Sequence, residues 1–147
     1  MKRFQFRFET VLGVKKLNEE VIQSQLADLE TQVKQTVTAK EKCIDTIHGT
    51  QQALLFEMQK KMPMNQLSIY LNYISALRHT ALMHEAKINR LETEVDSTRD
   101  RLIQATQEKK VFENLKNREH SKHLSHIARE EQKFLDEVTM THHNRKR

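Results

Sequence analysis

Apolar residues recur at spacings of three and four along most of the 147 residues. Before Pro63 the series reads Phe8, Leu12, Ile22, Leu26, Leu29, Val33, Cys43, Ile47, Leu54 and Met58. Lys15, Glu19, Thr36 and Lys40 are its polar members. After Pro63 it reads Tyr70, Ile74, Leu77, Ala81, His84, Ile88, Leu91, Val95, Thr98, Leu102, Ala105, Lys109 and Phe112. This spacing puts one apolar stripe on a helix, and about six heptads in one register predict a coiled coil. Pro63 lacks a backbone donor and clashes with the preceding turn, so it ends the first helix. It also pushes residue 62 away from helical geometry. Asn65 is a candidate N-cap for the second helix. The expected fold is all-α: one long antiparallel two-helix coiled-coil hairpin over residues 1–147 with a single turn near Pro63. Helix one covers about 5–61, the turn about 62–65, helix two about 66–140, and a basic tail 141–147.

Folding the chain back at Pro63 gives a register in which facing residue numbers have a nearly constant sum. Leu26 then faces Leu102, Val33 faces Val95, Ile47 faces Ala81, and Leu54 faces Ile74. The same register sets Glu19 opposite Lys109. An acid facing a base at a seam position can fix register at some cost in stability. The second helix is the longer. Beyond about residue 120 it is expected to have no partner within the chain, yet Leu124, Ile127, Phe134, Leu135 and Val138 continue its apolar stripe. An unpaired amphipathic helix end is a docking surface.

Composition narrows the choice. Two Gly, one Pro and no Trp allow few turns and disfavour sheet folds. Hydrophobic residues make up 37% and charged residues 31%, at a mean hydropathy of −0.76. Those values suit a narrow seam with solvated flanks better than a globular core. No apolar run approaches the ~20 residues that span a bilayer. The basic start lacks an apolar stretch behind it and does not read as a signal peptide. A single cysteine, Cys43, excludes an intrachain disulfide and suits a reducing compartment. The net charge of +5 is uneven. Lys2, Arg3, Arg7, Arg145, Lys146 and Arg147 are six positive charges at the two ends, and the remaining 19 bases balance 20 acids.

No catalytic constellation emerges. There is no Gly-rich phosphate loop and no nucleophile or zinc motif. Cys43 sits on the apolar seam as a small hydrophobe. His120, His123 and His126 fan around more than half of a helix, so solvated histidines are expected there rather than metal ligands. His142 and His143 fall in the basic tail. No cofactor, metal or small-molecule substrate is expected. Candidate surfaces remain. Phe4, Phe6 and Phe8 alternate with basic residues, a pattern that binds nucleic acid or anionic lipid or packs on the second helix. Near the turn, Leu67, Ile69, Tyr70, Leu71, Tyr73, Ile74 and Leu77 are too many apolar residues for one seam, which leaves Tyr73 partly outside it.

Four stretches, in order, resemble the flagellar FliJ family over nearly the whole chain. The first is Phe4, Phe6, Phe8, Leu12 and Lys15 with Glu19 and Glu20. The second is Asn65, Tyr70, Tyr73, Ile74 and Leu77. The third comprises Arg99, Leu102, Ala105, Lys109, Lys110, Glu113, Leu115 and Lys116. The fourth is Glu130–Lys133 with Leu135, Asp136 and Glu137. The resemblance implies a non-enzymatic stalk and adaptor of the flagellar type III export apparatus, and so a role in flagellum biogenesis, protein transport and chemotaxis. Its implied partners are the export ATPase and its regulator, the export gate membrane protein, and substrate chaperones. It implies a cytoplasmic protein held at the inner membrane's cytoplasmic face through that apparatus. Gate contact is implied at Tyr73 and Leu77. Contact with the ATPase ring is implied at the helix ends, through Phe4, Phe6, Phe8 and Leu12 and through Leu124, Ile127, Phe134, Leu135 and Val138. Gly13 departs from the pattern, because most helices avoid glycine in their first turns. The alternatives are the equivalent stalk of a virulence injectisome, and a coiled-coil dimer binding nucleic acid through basic ends. Because the body of the chain is neutral, nucleic acid is not the expected partner.

Overall fold

The computed structural model describes the backbone of residues 4–144 and the side chains of residues 4–141. It contains two helices, α1 (Glu9–Met58, 50 residues) and α2 (Met64–Asn144, 81 residues), and no strand among the described residues. The fold is an all-α helical hairpin. It divides into two compact units: Met1–Val21 with Ile103–Arg147, and Ile22–Leu102.

In the first unit α1 starts later than the spacing suggests, at Glu9 rather than near residue 5. Glu9 donates its backbone N–H to the Phe6 carbonyl at 3.2 Å, and Leu12 donates to Phe8 at 2.9 Å. The Phe8 carbonyl thus takes the first helical bond, with no Ser, Thr, Asp or Asn side chain capping it. Aromatic packing holds the lead-in instead. Phe6 is buried, the Phe6 and Phe8 rings lie 5.9 Å apart, and Phe8 meets Phe112 edge-on at 6.1 Å. Leu12 behind them is 2% exposed, a burial worth about 1.5–3 kcal/mol. Lys116–Glu9 and Lys15–Glu108 ion pairs at 2.8 and 2.6 Å flank this seam.

The second unit holds the turn. Ile47, Leu54 and Ile74 are buried together, with Met62, Leu67, Tyr70 and Leu77 packed against them. Farther from the turn, Leu91 and Val95 are buried. The buried hydroxyls of Thr36 and Thr98 donate to the carbonyls of Gln32 and Glu94 at 2.8 Å, so each is satisfied on its own helix. Arg99–Glu30 and Lys40–Glu85 pairs border the seam at 3.0 and 3.7 Å.

Both bounds of the turn come earlier than expected: α1 ends at Met58 rather than near 61, and α2 begins at Met64 rather than near 66. After Met58, Lys60 donates its backbone N–H to Glu57 at 3.0 Å, and Lys61 takes a left-handed φ of 59°. A residue in that conformation ends a helix. Met58, a seam position by spacing, is 51% exposed because the helix stops there. On the other side the Pro63 carbonyl accepts from Gln66 at 3.1 Å and from Leu67 at 3.3 Å. Proline costs little at a helix start, where its missing N–H would have no partner. Asn65 therefore lies inside the first turn rather than capping it. Its Oδ1 still accepts from the Gln66 N–H at 3.0 Å. α2 runs on to Asn144, past the expected end near 140.

Candidate functional site

Three surfaces carry the residues singled out by sequence. The first is the paired helix end in the unit formed by Met1–Val21 and Ile103–Arg147. Glu19, 8% exposed, accepts from Lys109 Nζ at 2.6 Å through one carboxylate oxygen and from the Thr106 hydroxyl at 2.7 Å through the other. Those two hydrogen bonds, Lys109's the larger, hold the Glu19 carboxyl below its ordinary value. The same bond to Glu19 holds the Lys109 ammonium above its own. Thr106 carried no signal in sequence: a small polar residue beside a seam looks like any other flank position.

Phe4 packs its ring against His120 at 5.0 Å and His123 at 5.6 Å. Pairing within the chain thus reaches one turn beyond residue 120, and two of the three clustered histidines meet an aromatic ring. Arg7 lies over the Phe8 ring at 5.5 Å. Lys2, Arg3, Arg145, Lys146 and Arg147, with the side chains of His142 and His143, lie outside the described residues. Among the described residues no three His, Cys, Asp or Glu side chains gather as a metal site.

The second surface is the continuation of α2. Ile127 is half-buried, whereas Leu124, Phe134, Leu135 and Val138 are exposed by 43–64%. Ile127, Phe134 and Leu135 line an open groove with His123, Glu130 and Glu131 on its edges. Lys133 sits 3.1 Å from Glu130 and keeps that carboxyl below its ordinary value.

The third surface is the tip of the unit Ile22–Leu102. Here the structure separates two residues that the resemblance joins. Tyr73 is 50% exposed, while Leu77 is half-buried against the Ile47, Leu54 and Ile74 cluster. Leu26, Leu102, Val33 and Ala81 are half-buried along the same seam, and Val95 is buried. Ile69 and Leu71, part of the apolar surplus read from the sequence, are open to solvent. Sequence reasoning passed over Met64, and Leu55 and Phe56 on α1, which are exposed by 56–78%. Their signal was present: an apolar residue out of phase with the seam has no place inside a two-helix hairpin.

These surfaces define a class first. That class is the all-α helical hairpin, here with apolar side chains left open at a helix end and at the tip. Comparison with protein families then gives the family: the model of the flagellar FliJ protein matches residues 4–147, and the chain belongs to that family, a component of the flagellar export apparatus. A search of curated proteins and a search of solved structures each returned no significant match.

Proposed function

We propose that this chain is a stalk and adaptor of the flagellar type III export apparatus. In this reading the helix ends engage the ring of the export ATPase and promote its assembly and activity, and the tip engages the export gate. The observation that carries it is the open apolar face of α2, where Leu124, Phe134, Leu135 and Val138 are exposed on a helix that continues past its partner. An exposed apolar stripe continuous with a coiled-coil seam is what a partner helix or groove covers. Family membership supports the export setting and favours the flagellar system over an injectisome.

The remaining partners in this reading are the ATPase regulator and the substrate chaperones, with the protein cytoplasmic and held peripherally at the inner membrane by the apparatus. No described helix is long and apolar enough to cross a membrane, which is compatible with a peripheral place. The test uses purified export ATPase. Adding the chain is expected to raise hydrolysis and the ring fraction in sedimentation, and Phe134→Ser with Leu135→Ser is expected to abolish both effects. If the ATPase responds to neither chain in rate or oligomeric state, the stalk reading fails.

A further inference from the structure

The tip carries a feature that the export reading leaves unused. Residues 58–84 contain no Asp or Glu, whereas Lys60, Lys61 and Arg78 give them three positive charges. In a chain with 20 acids among 147 residues this is a long acid-free stretch, and it wraps the turn. Large apolar side chains stand open around the turn: Met58, Met64, Ile69 and Leu71 within that stretch, and Leu55 and Phe56 just before Glu57 on α1, each exposed by 51–78%. Lys60 Nζ lies 4.4 Å from the centre of the Phe56 ring, so a cation and an aromatic face share the apex.

We propose that the tip of the hairpin seats directly on an anionic lipid surface. Charge selects this occupant: Lys60 and Lys61 outnumber Glu57, the one carboxylate beside the turn, so the apex is net positive and attracted to acidic headgroups, and apolar side chains beside the cations enter the acyl boundary. The arrangement of the apolar residues favours lipid over a protein. Successive helical residues differ by about 100°, so Leu55 and Phe56 point well apart, and Ile69 and Leu71 nearly opposite ways. A single protein footprint covers one flank of a hairpin, whereas a bilayer surrounds a tip. The seat is shallow, because the turn at 59–63 has backbone groups that need water or headgroups and no described helix can span the membrane. The inference does not depend on the export assignment and uses residues other than Tyr73 and Leu77.

The chain has no Trp, so Met64→Trp places one fluorophore at the tip. With vesicles of phosphatidylglycerol and phosphatidylethanolamine, the expected result is a blue-shifted emission and co-sedimentation of the chain. Vesicles of phosphatidylcholine alone are expected to give neither. Lys60→Glu with Lys61→Glu is expected to weaken binding to the anionic vesicles at least tenfold while helical circular dichroism is unchanged. Met64→Ser with Leu71→Ser, both exposed positions, is expected to do the same. Binding that survives the charge reversal would assign it to the basic chain ends and overturn the proposal. So would co-sedimentation without a blue shift. Absence of binding to anionic vesicles would also overturn it, leaving an acidic protein surface as the occupant of the tip.

Discussion

Glu19 on α1 and Lys109 on α2 meet at 2.6 Å across the seam, and Thr106 closes the second carboxylate oxygen at 2.7 Å. The pair stands beside buried Ile22 on α1 and buried Ala105 on α2, with half-buried Lys15 and Phe112 as the seam positions on its other side. An ion pair at such a site adds little stability over a well-packed apolar pair, but losing one partner leaves a charge without compensation. Its use is to penalise other registers, since a slip of one turn would set Glu19 against Ala105 or Phe112 and Lys109 against Ile22 or the like charge of Lys15. Glu19→Met and Lys109→Met are each expected to lower Tm, and the double variant to recover most of the loss. Thermal melts of all four chains check this, and additive losses would show that the two residues do not act as a pair.

The same contact gives a pH dependence. Glu19 titrates below its ordinary 4.5 because of the Lys109 and Thr106 hydrogen bonds, so its contribution is complete above 4.5 and is lost as pH falls through the lowered value. Lys109 titrates above its ordinary 10.5 because of its bond to Glu19, so its contribution is complete below 10.5 and is lost as pH rises through the raised value. Between these limits the pair is fully charged and adds no slope. The difference in Tm between the native chain and the double methionine variant is expected to be flat from about pH 5 to 10 and to shift toward the variant on either side. A slope near neutrality would mean that another group governs the contact.

Gly13 and Gly49 both lie within α1, neither has a positive φ, and a Cβ added at either would meet nothing within 4 Å. Backbone entropy alone then decides the effect of substitution. Gly13→Ala and Gly49→Ala are each expected to raise stability by about 1 kcal/mol, additively, in urea unfolding. If the Gly13→Ala chain is more stable yet stimulates the export ATPase less, bending at that helix end is part of its function.

Lys61 occupies a left-handed conformation that costs a side-chain-bearing residue about 1–2 kcal/mol. Glycine avoids that cost but adds freedom to the unfolded chain. Lys61→Gly is therefore expected to leave stability equal or raise it by up to about 1 kcal/mol. A loss of stability would show that the Lys61 side chain contributes to closing the turn.

The seam was legible in sequence because coiled-coil packing is periodic: from Phe8 to Phe112 every position picked by spacing is buried or half-buried except Met58. What lay outside that periodicity was not legible. The late start of α1 comes from Phe6 and Phe8 packing as a lead-in, which no capping residue announces. Lys61 closes the turn at a position where glycine is the usual signal, so its role shows only in its backbone. At the tip, spacing leaves a surplus of apolar residues around Tyr73, but that Leu55, Phe56 and Met64 stand open beside them emerges only once exposure is known.

Tyr73 and Leu77 give the most discriminating test of the gate contact. Both are implied as gate residues by the family resemblance, but they differ in what else they do. Leu77 packs against Ile47, Leu54 and Ile74, whereas Tyr73, one turn earlier on α2, is half in solvent. Truncating a half-buried leucine removes part of a core contact, so Leu77→Ala is expected to cost about 1–2 kcal/mol, less than at a fully buried site. Tyr73→Ala is expected to change stability by less than about 0.5 kcal/mol. If the gate is read through the exposed face, Tyr73→Ala weakens gate affinity in isothermal titration while Leu77→Ala weakens it mainly by loosening the tip. Leu77→Met, which conserves volume, separates the two cases. It is expected to restore both stability and gate binding. Restored stability with gate binding still lost would make Leu77 a contact residue in its own right.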